Sequence, residues 1–173
     1  LAGAYDSNIA LILSYGDDRK HNLERLAEIL RSTELRGDDL ETNIPVQYGL
    51  INWILGKDPM MKPNTRFLTH YLAAVGSLQV IAQDVNLDLA AQQLLKNAEN
   101  GEARKVIGAK ETLLLRPLRR LLGAPHALAG FIGLYHDAFW CPKGKDFDFI
   151  VNPLEVLQTL YQYLHMDFDA SKP

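Results

Sequence analysis

Residues 8–32 carry the clearest structural signals in the chain and read NIALILSYGDDRKHNLERLAEILRS. The apolar run 9–13, ended by Tyr-Gly-Asp-Asp, predicts a buried strand and a turn. Over Arg19–Ser32 the apolar residues recur at i, i+3, i+4 and i+7 with charged residues between them, as in an amphipathic helix. Asp17 or Asp18 can cap that helix. The stretch therefore predicts a strand and a helix that lies on a sheet.

A second extended stretch followed by a second helix is predicted next. Residues 33–36 predict a brief extended stretch, and the apolar spacing after Thr42-Asn43 predicts a second helix to Gly56, with Pro45 in its first turn. A further helical run starts at Thr65, and a unit boundary is expected at 76–77. Residues 1–76 are thus predicted to form a strand-helix-strand-helix unit.

Helical spacing dominates from residue 77 to 166, where Pro117 is expected to kink or break one helix and Pro125 to start the next. Residues 147–151 fit either a strand or an extended connection. Asn152 can cap a last helix that begins at Pro153 and ends near His165, and 167–173 reads as a linker. The expected fold class is α+β, mostly helical: the strand-helix unit is followed by an all-α domain.

Composition limits the classes of function. The chain has 173 residues, a net charge of −3 and a pI near 5.9, which predicts no nucleic-acid partner because phosphate neutralisation needs a basic excess. No apolar run approaches the roughly 20 residues of a membrane helix, so no membrane contact is expected. The single cysteine, Cys141, predicts a reducing, cytoplasmic setting. A start at Leu1 without methionine predicts a piece of a longer polypeptide.

A series of short motifs fills the first 70 or so residues. In order they are Tyr-Asp-Ser-Asn-Ile-Ala at 5–10, Tyr-Gly-Asp-Asp-Arg at 15–19, Leu-Arg-Gly at 35–37, Thr-Asn-Ile-Pro at 42–45 and Thr-Arg-Phe-Leu at 65–68. In order and spacing, with a helix after the second motif, the series resembles the C-terminal subdomain of biotin carboxylases. The resemblance ends near residue 68.

The resemblance implies that the chain is part of a biotin-dependent carboxylase of the acyl-CoA type. In that family ATP, with Mg²⁺ or Mn²⁺, activates bicarbonate as carboxyphosphate, and the carboxyl group passes to biotin on a carrier domain. The family's Gly-rich phosphate loop and metal-binding glutamates are missing here, which implies a non-catalytic fragment that holds no cofactor itself. The implied partners are the remainder of the parent chain, its biotin carrier and carboxyltransferase domains, and further copies in a homo-oligomer.

Tyr5, Asp6 and Ser7 are the positions to which the resemblance assigns a supporting role, at the family's active-site edge or dimer surface. Where the family has a lysine after Ile-Ala, this chain has Leu11, so an inactive carboxylase-like regulator is one alternative. Residues 77–166 match nothing in the family and are expected by position to be a helical connecting or interaction domain. A helical protein-interaction module that uses the N-terminal unit as a platform is the other alternative.

The most basic stretch lies between residues 104 and 120. Within it Arg116, Arg119 and Arg120 are candidate contacts for phosphate or coenzyme A, because guanidinium groups pair with phosphate oxygens. Most such runs are solvated helix faces, and that reading stays open.

Other chemical patterns have simpler explanations. His136-Asp137 followed by Cys141 suggests a base and a nucleophile, but packing and capping at a helix end explain the same residues. The histidines show no metal-ligand spacing, so no metal site is expected. The aromatic residues between 131 and 149 are expected to be core, with a docking surface as the alternative.

Overall fold

The structure of the protein is a computed structural model that describes residues 8–38, 40–89, 92, 111–139, 141–143, 146–148 and 153–166. Helices dominate these residues. In chain order they are α1 (Arg19–Ser32), α2 (Ile44–Lys57), α3 (Phe67–Gln83), α4 (Glu111–Leu122), α5 (Pro125–Phe139) and α6 (Pro153–Tyr163), and a hairpin of β1 (Cys141–Lys143) and β2 (Asp146–Asp148) precedes α6. A further helical turn begins at residue 87.

The first two helices form where the sequence predicts them. The Asp18 carboxylate accepts a hydrogen bond of 2.7 Å from the backbone N–H of His21, which satisfies a donor that the first turn of α1 leaves free. Pro45 lies in the first turn of α2, where its missing N–H costs nothing. The predicted bounds of α1 and start of α2 are confirmed.

The expected α+β class is wrong, because the strands of the predicted strand-helix-strand-helix unit do not form. Residues 8–16 and 33–37 have no regular secondary structure. A strand requires a neighbouring chain that bonds to its backbone N–H and C=O groups. Among the residues described, none bonds to the backbone of residues 9–13. The helices of the unit are present without a sheet beneath them.

Strand pairing in the described residues is confined to the β1–β2 hairpin. Its strands are three residues long and antiparallel, with Cys141 opposite Asp148 and Lys143 opposite Asp146. Within the region 147–151, left open between strand and connection, the first two residues belong to β2. A hairpin of this size adds no sheet layer to the fold.

Glycines bring the backbones of α2 and α5 into contact. A Cβ on Gly56 would overlap the carbonyl of Gly133, and a Cβ on Gly49 would overlap the carbonyl of His126. Gly130 lies against the backbone of Gly49 in return. In the described part of the chain, this is the most extensive contact between two helices. Any side chain at Gly49 or Gly56 would push the helices apart.

α5 is the central helix and contacts α2, α3 and α4. Two buried clusters surround it: one contains Leu121, Leu128, Phe131, Leu160, Tyr163 and Leu164, and the other Tyr71, Val75 and Ala129. Tyr163 links helices in two ways, since its hydroxyl donates to the carbonyl of Ala127 at 2.8 Å and its ring lies 5.2 Å from that of Phe131. α3 continues unbroken across residues 76–77, where the unit boundary was expected, and the division of the chain there stays a prediction.

α4 continues through Pro117, where the sequence predicts a kink or break. Proline has no N–H to donate to the carbonyl four residues earlier, so Leu113 loses its helical partner. The hydroxyl of Tyr161 replaces that partner and donates to the Leu113 carbonyl at 3.0 Å. Because Pro117 is fully buried, the proline is part of the packed interior at which α4 meets α6.

Candidate functional site

An apolar segment, residues 9–15, lies on the surface before α1. Leu11, Leu13 and Tyr15 are exposed to 82%, 80% and 79%, whereas residues 12 and 14 between them are half-buried. This alternation is the two-residue period of an extended chain. The sequence predicted these leucines to be buried in a sheet. The structure leaves them at the surface, with backbone groups that no described residue pairs, and large exposed apolar groups in a row are typical of a contact site.

Polar contacts hold the apolar segment against α1. Ser14 Oγ donates to Asn22 Oδ1 at 2.7 Å, and Arg25 Nη1 donates to the carbonyl of Tyr15 at 3.0 Å. The Arg25 guanidinium also lies 4.7 Å from the centre of the Tyr15 ring. Gly16 makes the close approach possible, because a Cβ there would meet the backbone of Asn22. These contacts therefore hold residues 14–16 in one direction relative to α1.

A cleft of about 510 Å³ opens between α1, α2, α5 and the end of α6. Its charged rim is already paired: Lys20 lies 3.7 Å from Glu24, and Arg31 forms an ion pair with Glu28. No local pattern predicts this cleft, because its walls come from helices far apart in the chain. The one local signal is Asn52, a buried polar residue within the apolar sequence of α2.

Arg31 joins the cleft to the core. Its Nη1 donates to the carbonyl of Gln162 at 2.8 Å, while its Nε is buried and has no hydrogen-bond partner. A ligand in the cleft cannot touch an atom that is closed off from solvent. Burial raises the pKa of both Tyr48 and Tyr163 well above the ordinary value, so neither hydroxyl is an acid or base near neutral pH. Among the described residues that line the cleft, the charged groups on its rim are therefore paired and these two tyrosines stay protonated.

The three candidate arginines do come together. Arg116, Arg119 and Arg120 line one hollow of about 460 Å³ with Leu115 and Met166. All three arginines are exposed, and none forms an ion pair within the part of the chain that the structure describes. The hollow is a concave, positively charged surface with an apolar portion.

The remaining predicted residues have mixed outcomes. Tyr5, Asp6 and Ser7 lie outside the described residues, as do the basic positions 104, 105 and 110. His136, Asp137 and Cys141 belong to α5 and β1, and the structure describes only their backbone. Of the aromatic residues expected in the core, Phe131 is buried, as predicted. Tyr135 is half-buried and packs on it with ring centres 4.8 Å apart.

Among the described residues, no three His, Cys, Asp or Glu side chains lie together as a metal ion would require. None of their helices has both the length and the apolar character needed to cross a membrane. Comparison of the whole chain with family models, with curated proteins and with solved structures finds no significant match.

Proposed function

We propose that this chain is a non-catalytic part of a biotin-dependent carboxylase, in which it supports contacts between domains or subunits. The motif series over residues 5–68 supports the family. The exposed apolar segment supports the role, and it is the single observation on which that role depends. The proposed parent carboxylates biotin with ATP and bicarbonate and passes the carboxyl group to an acyl-CoA or similar acceptor. The single cysteine of this chain, Cys141, supports a cytoplasmic setting.

The proposed occupant of the apolar segment is the open edge of a β-sheet in the remainder of the carboxylase. The backbone donors and acceptors of residues 9–13 have no partner among the described residues, and the surface that would satisfy all of them together is another strand. Leu11 and Leu13 would then be covered on one face of the enlarged sheet. Tyr5, Asp6 and Ser7, just before the segment, are the proposed supporting residues at the active-site edge or dimer surface.

Hydrogen exchange tests the docking. In the complete carboxylase the amides of residues 9–13 should exchange at least tenfold more slowly than in the isolated chain, because pairing protects them. Leu13→Lys should reduce biotin carboxylation by the complete enzyme, whereas Val80→Lys, at a position 62% exposed on α3, should leave it unchanged. Equal exchange in both forms, or equal effects of the two variants, would contradict the docking.

Activity tests the family and the non-catalytic role separately. The isolated chain should show no ATP hydrolysis that depends on biotin and bicarbonate, and the complete protein should carboxylate biotin. Turnover by the isolated chain would exclude a non-catalytic role. A complete protein that cannot carboxylate biotin would instead favour the inactive regulator, which Leu11 in place of the family lysine motivates. If the complete protein lacks an ATP-grasp domain, the helical interaction module is the better proposal, and the exposed segment supports it equally.

A further inference from the structure

We propose that the hollow beside α4 binds a small molecule that carries a phosphate group attached to an apolar moiety. The site is built by Arg116, Arg119 and Arg120 together with Leu115 and Met166. It does not depend on the proposed carboxylase role, because it rests on other residues and other chemistry.

The three arginines are closely spaced along α4. Arg116 is three residues before Arg119 and four before Arg120, so the three side chains emerge on one side of α4. Like charges at these spacings destabilise a helix. An anion between the guanidinium groups would remove that repulsion.

Several of the other described arginines have a partner, which distinguishes them from this group. Arg25 bonds to the Tyr15 carbonyl, Arg31 to Glu28 and Arg36 to Glu34. In the described residues the arginines of α4 have no such partner. Like the arginines of α4, Arg66 has no side-chain partner among the described residues, but the sequence places no second arginine within one helical turn of it.

The helix dipole explains only part of the concentration of arginines on α4. Arg119 and Arg120 lie in the last turn of α4, where cations stabilise the negative end of the helix. That end carries roughly half a negative charge, far less than three guanidinium groups supply. Within the described residues a net positive charge therefore remains, and it acts on Tyr161, since the charge of Arg116 opposes the rise in the pKa of that hydroxyl caused by burial.

Shape and lining identify the ligand class. Guanidinium groups bind phosphate oxygens through paired hydrogen bonds. A volume of 460 Å³ exceeds what one phosphate fills and lies within the range of small-molecule sites. Leu115 and Met166 offer the apolar surface for the rest of the ligand. A long polyanion is disfavoured because the chain as a whole has a net charge of −3.

Titration of the full chain with inorganic phosphate and with phenyl phosphate tests the site. Phenyl phosphate should bind saturably and more tightly than phosphate. Each of Arg116→Gln, Arg119→Gln and Arg120→Gln should weaken both ligands by about tenfold, the effect of one charge-assisted hydrogen bond. Met166→Ser should weaken phenyl phosphate alone. The matched control is Arg36→Gln, whose side chain is 83% exposed and which should change neither affinity.

Circular dichroism of each variant verifies that the helices are retained, so that lost binding is not lost folding. The absence of saturable binding in the folded chain would overturn the proposal. Equal weakening by Arg36→Gln would also overturn it, because binding would then follow total charge. Binding to vesicles of anionic lipid but to neither soluble ligand would overturn it in favour of a membrane surface.

Discussion

The hydroxyl of Tyr161 donates a hydrogen bond of 3.0 Å to the carbonyl of Leu113, the acceptor that Pro117 leaves without its helical donor. The bond explains how a proline can remain inside α4. It also makes α6 necessary for the backbone of α4, since the replacement donor comes from 48 residues farther along the chain. Tyr161 is only 3% exposed, so water cannot easily take over its role.

Tyr161→Phe should lower the free energy of unfolding by about 1–2 kcal/mol, because the carbonyl of the half-buried Leu113 loses its partner. In a Pro117→Ala background the same change should cost clearly less, because the N–H of the alanine can bond to Leu113. Urea unfolding of the four proteins in a double-mutant cycle measures the coupling. Additive losses would show that Tyr161 does not compensate for the proline.

Features with a local signal in the sequence were predictable, and features that depend on distant residues were not. α1 was predictable because its cap at Asp18 and its apolar spacing are both local. The strand at residues 9–13 was mispredicted because its composition fits a strand, while the pairing partner is a distant feature that no local pattern reports. The charge of the basic stretch was enough to single out Arg116, Arg119 and Arg120, whereas the hollow they line depends on Met166 beyond α6.

The glycine contact between α2 and α5 was missed for the same reason. The sequence predicts that α2 ends at Gly56, a common place for glycine, and the helix does end one residue later, at Lys57. Gly56 also leaves room for Gly133, 77 positions farther along the sequence. Nothing in the residues around Gly56 indicates a neighbour that far away.

Gly56→Ala should destabilise the protein by more than about 2 kcal/mol, because the new methyl group overlaps backbone atoms that cannot rotate away. Gly76→Ala is the matched control. A Cβ at Gly76 meets nothing within 4 Å, and alanine favours a helix interior by roughly 0.5–1 kcal/mol, so this variant should be more stable than the natural chain. Thermal unfolding compares them, and equal effects would contradict close packing of α2 on α5.

Stability should fall at alkaline pH. Burial raises the pKa of Tyr71 to about 12. It also raises the pKa of four other tyrosines, Tyr48, Tyr135, Tyr161 and Tyr163. Above pH 10, the ordinary value, the unfolded chain loses phenolic protons that the folded chain keeps. The folded state is then disfavoured progressively up to at least pH 12. Urea unfolding over this interval should show the decline, and Tyr71→Phe should lessen it; a flat profile would exclude buried phenols.

His126 should cause a separate loss of stability in acid. Burial lowers the pKa of its imidazole below the ordinary 6.5, so the unfolded chain binds a proton more readily than the folded one. Stability that is present above pH 6.5 is therefore lost as the pH falls from 6.5 toward the pKa that His126 has in the folded chain. Nδ1 of His126 also lies 3.0 Å from the hydroxyl of Tyr71, which offers a second explanation for any pH dependence at this site.

Two variants separate these explanations. His126→Gln should remove this acid dependence, as measured by urea unfolding on either side of pH 6.5. Tyr71→Phe should lower stability at every pH but keep the acid dependence, because burial rather than the hydrogen bond disfavours the imidazolium. If Tyr71→Phe abolished the dependence as fully as His126→Gln, the hydroxyl would be the controlling group and burial would be the wrong cause.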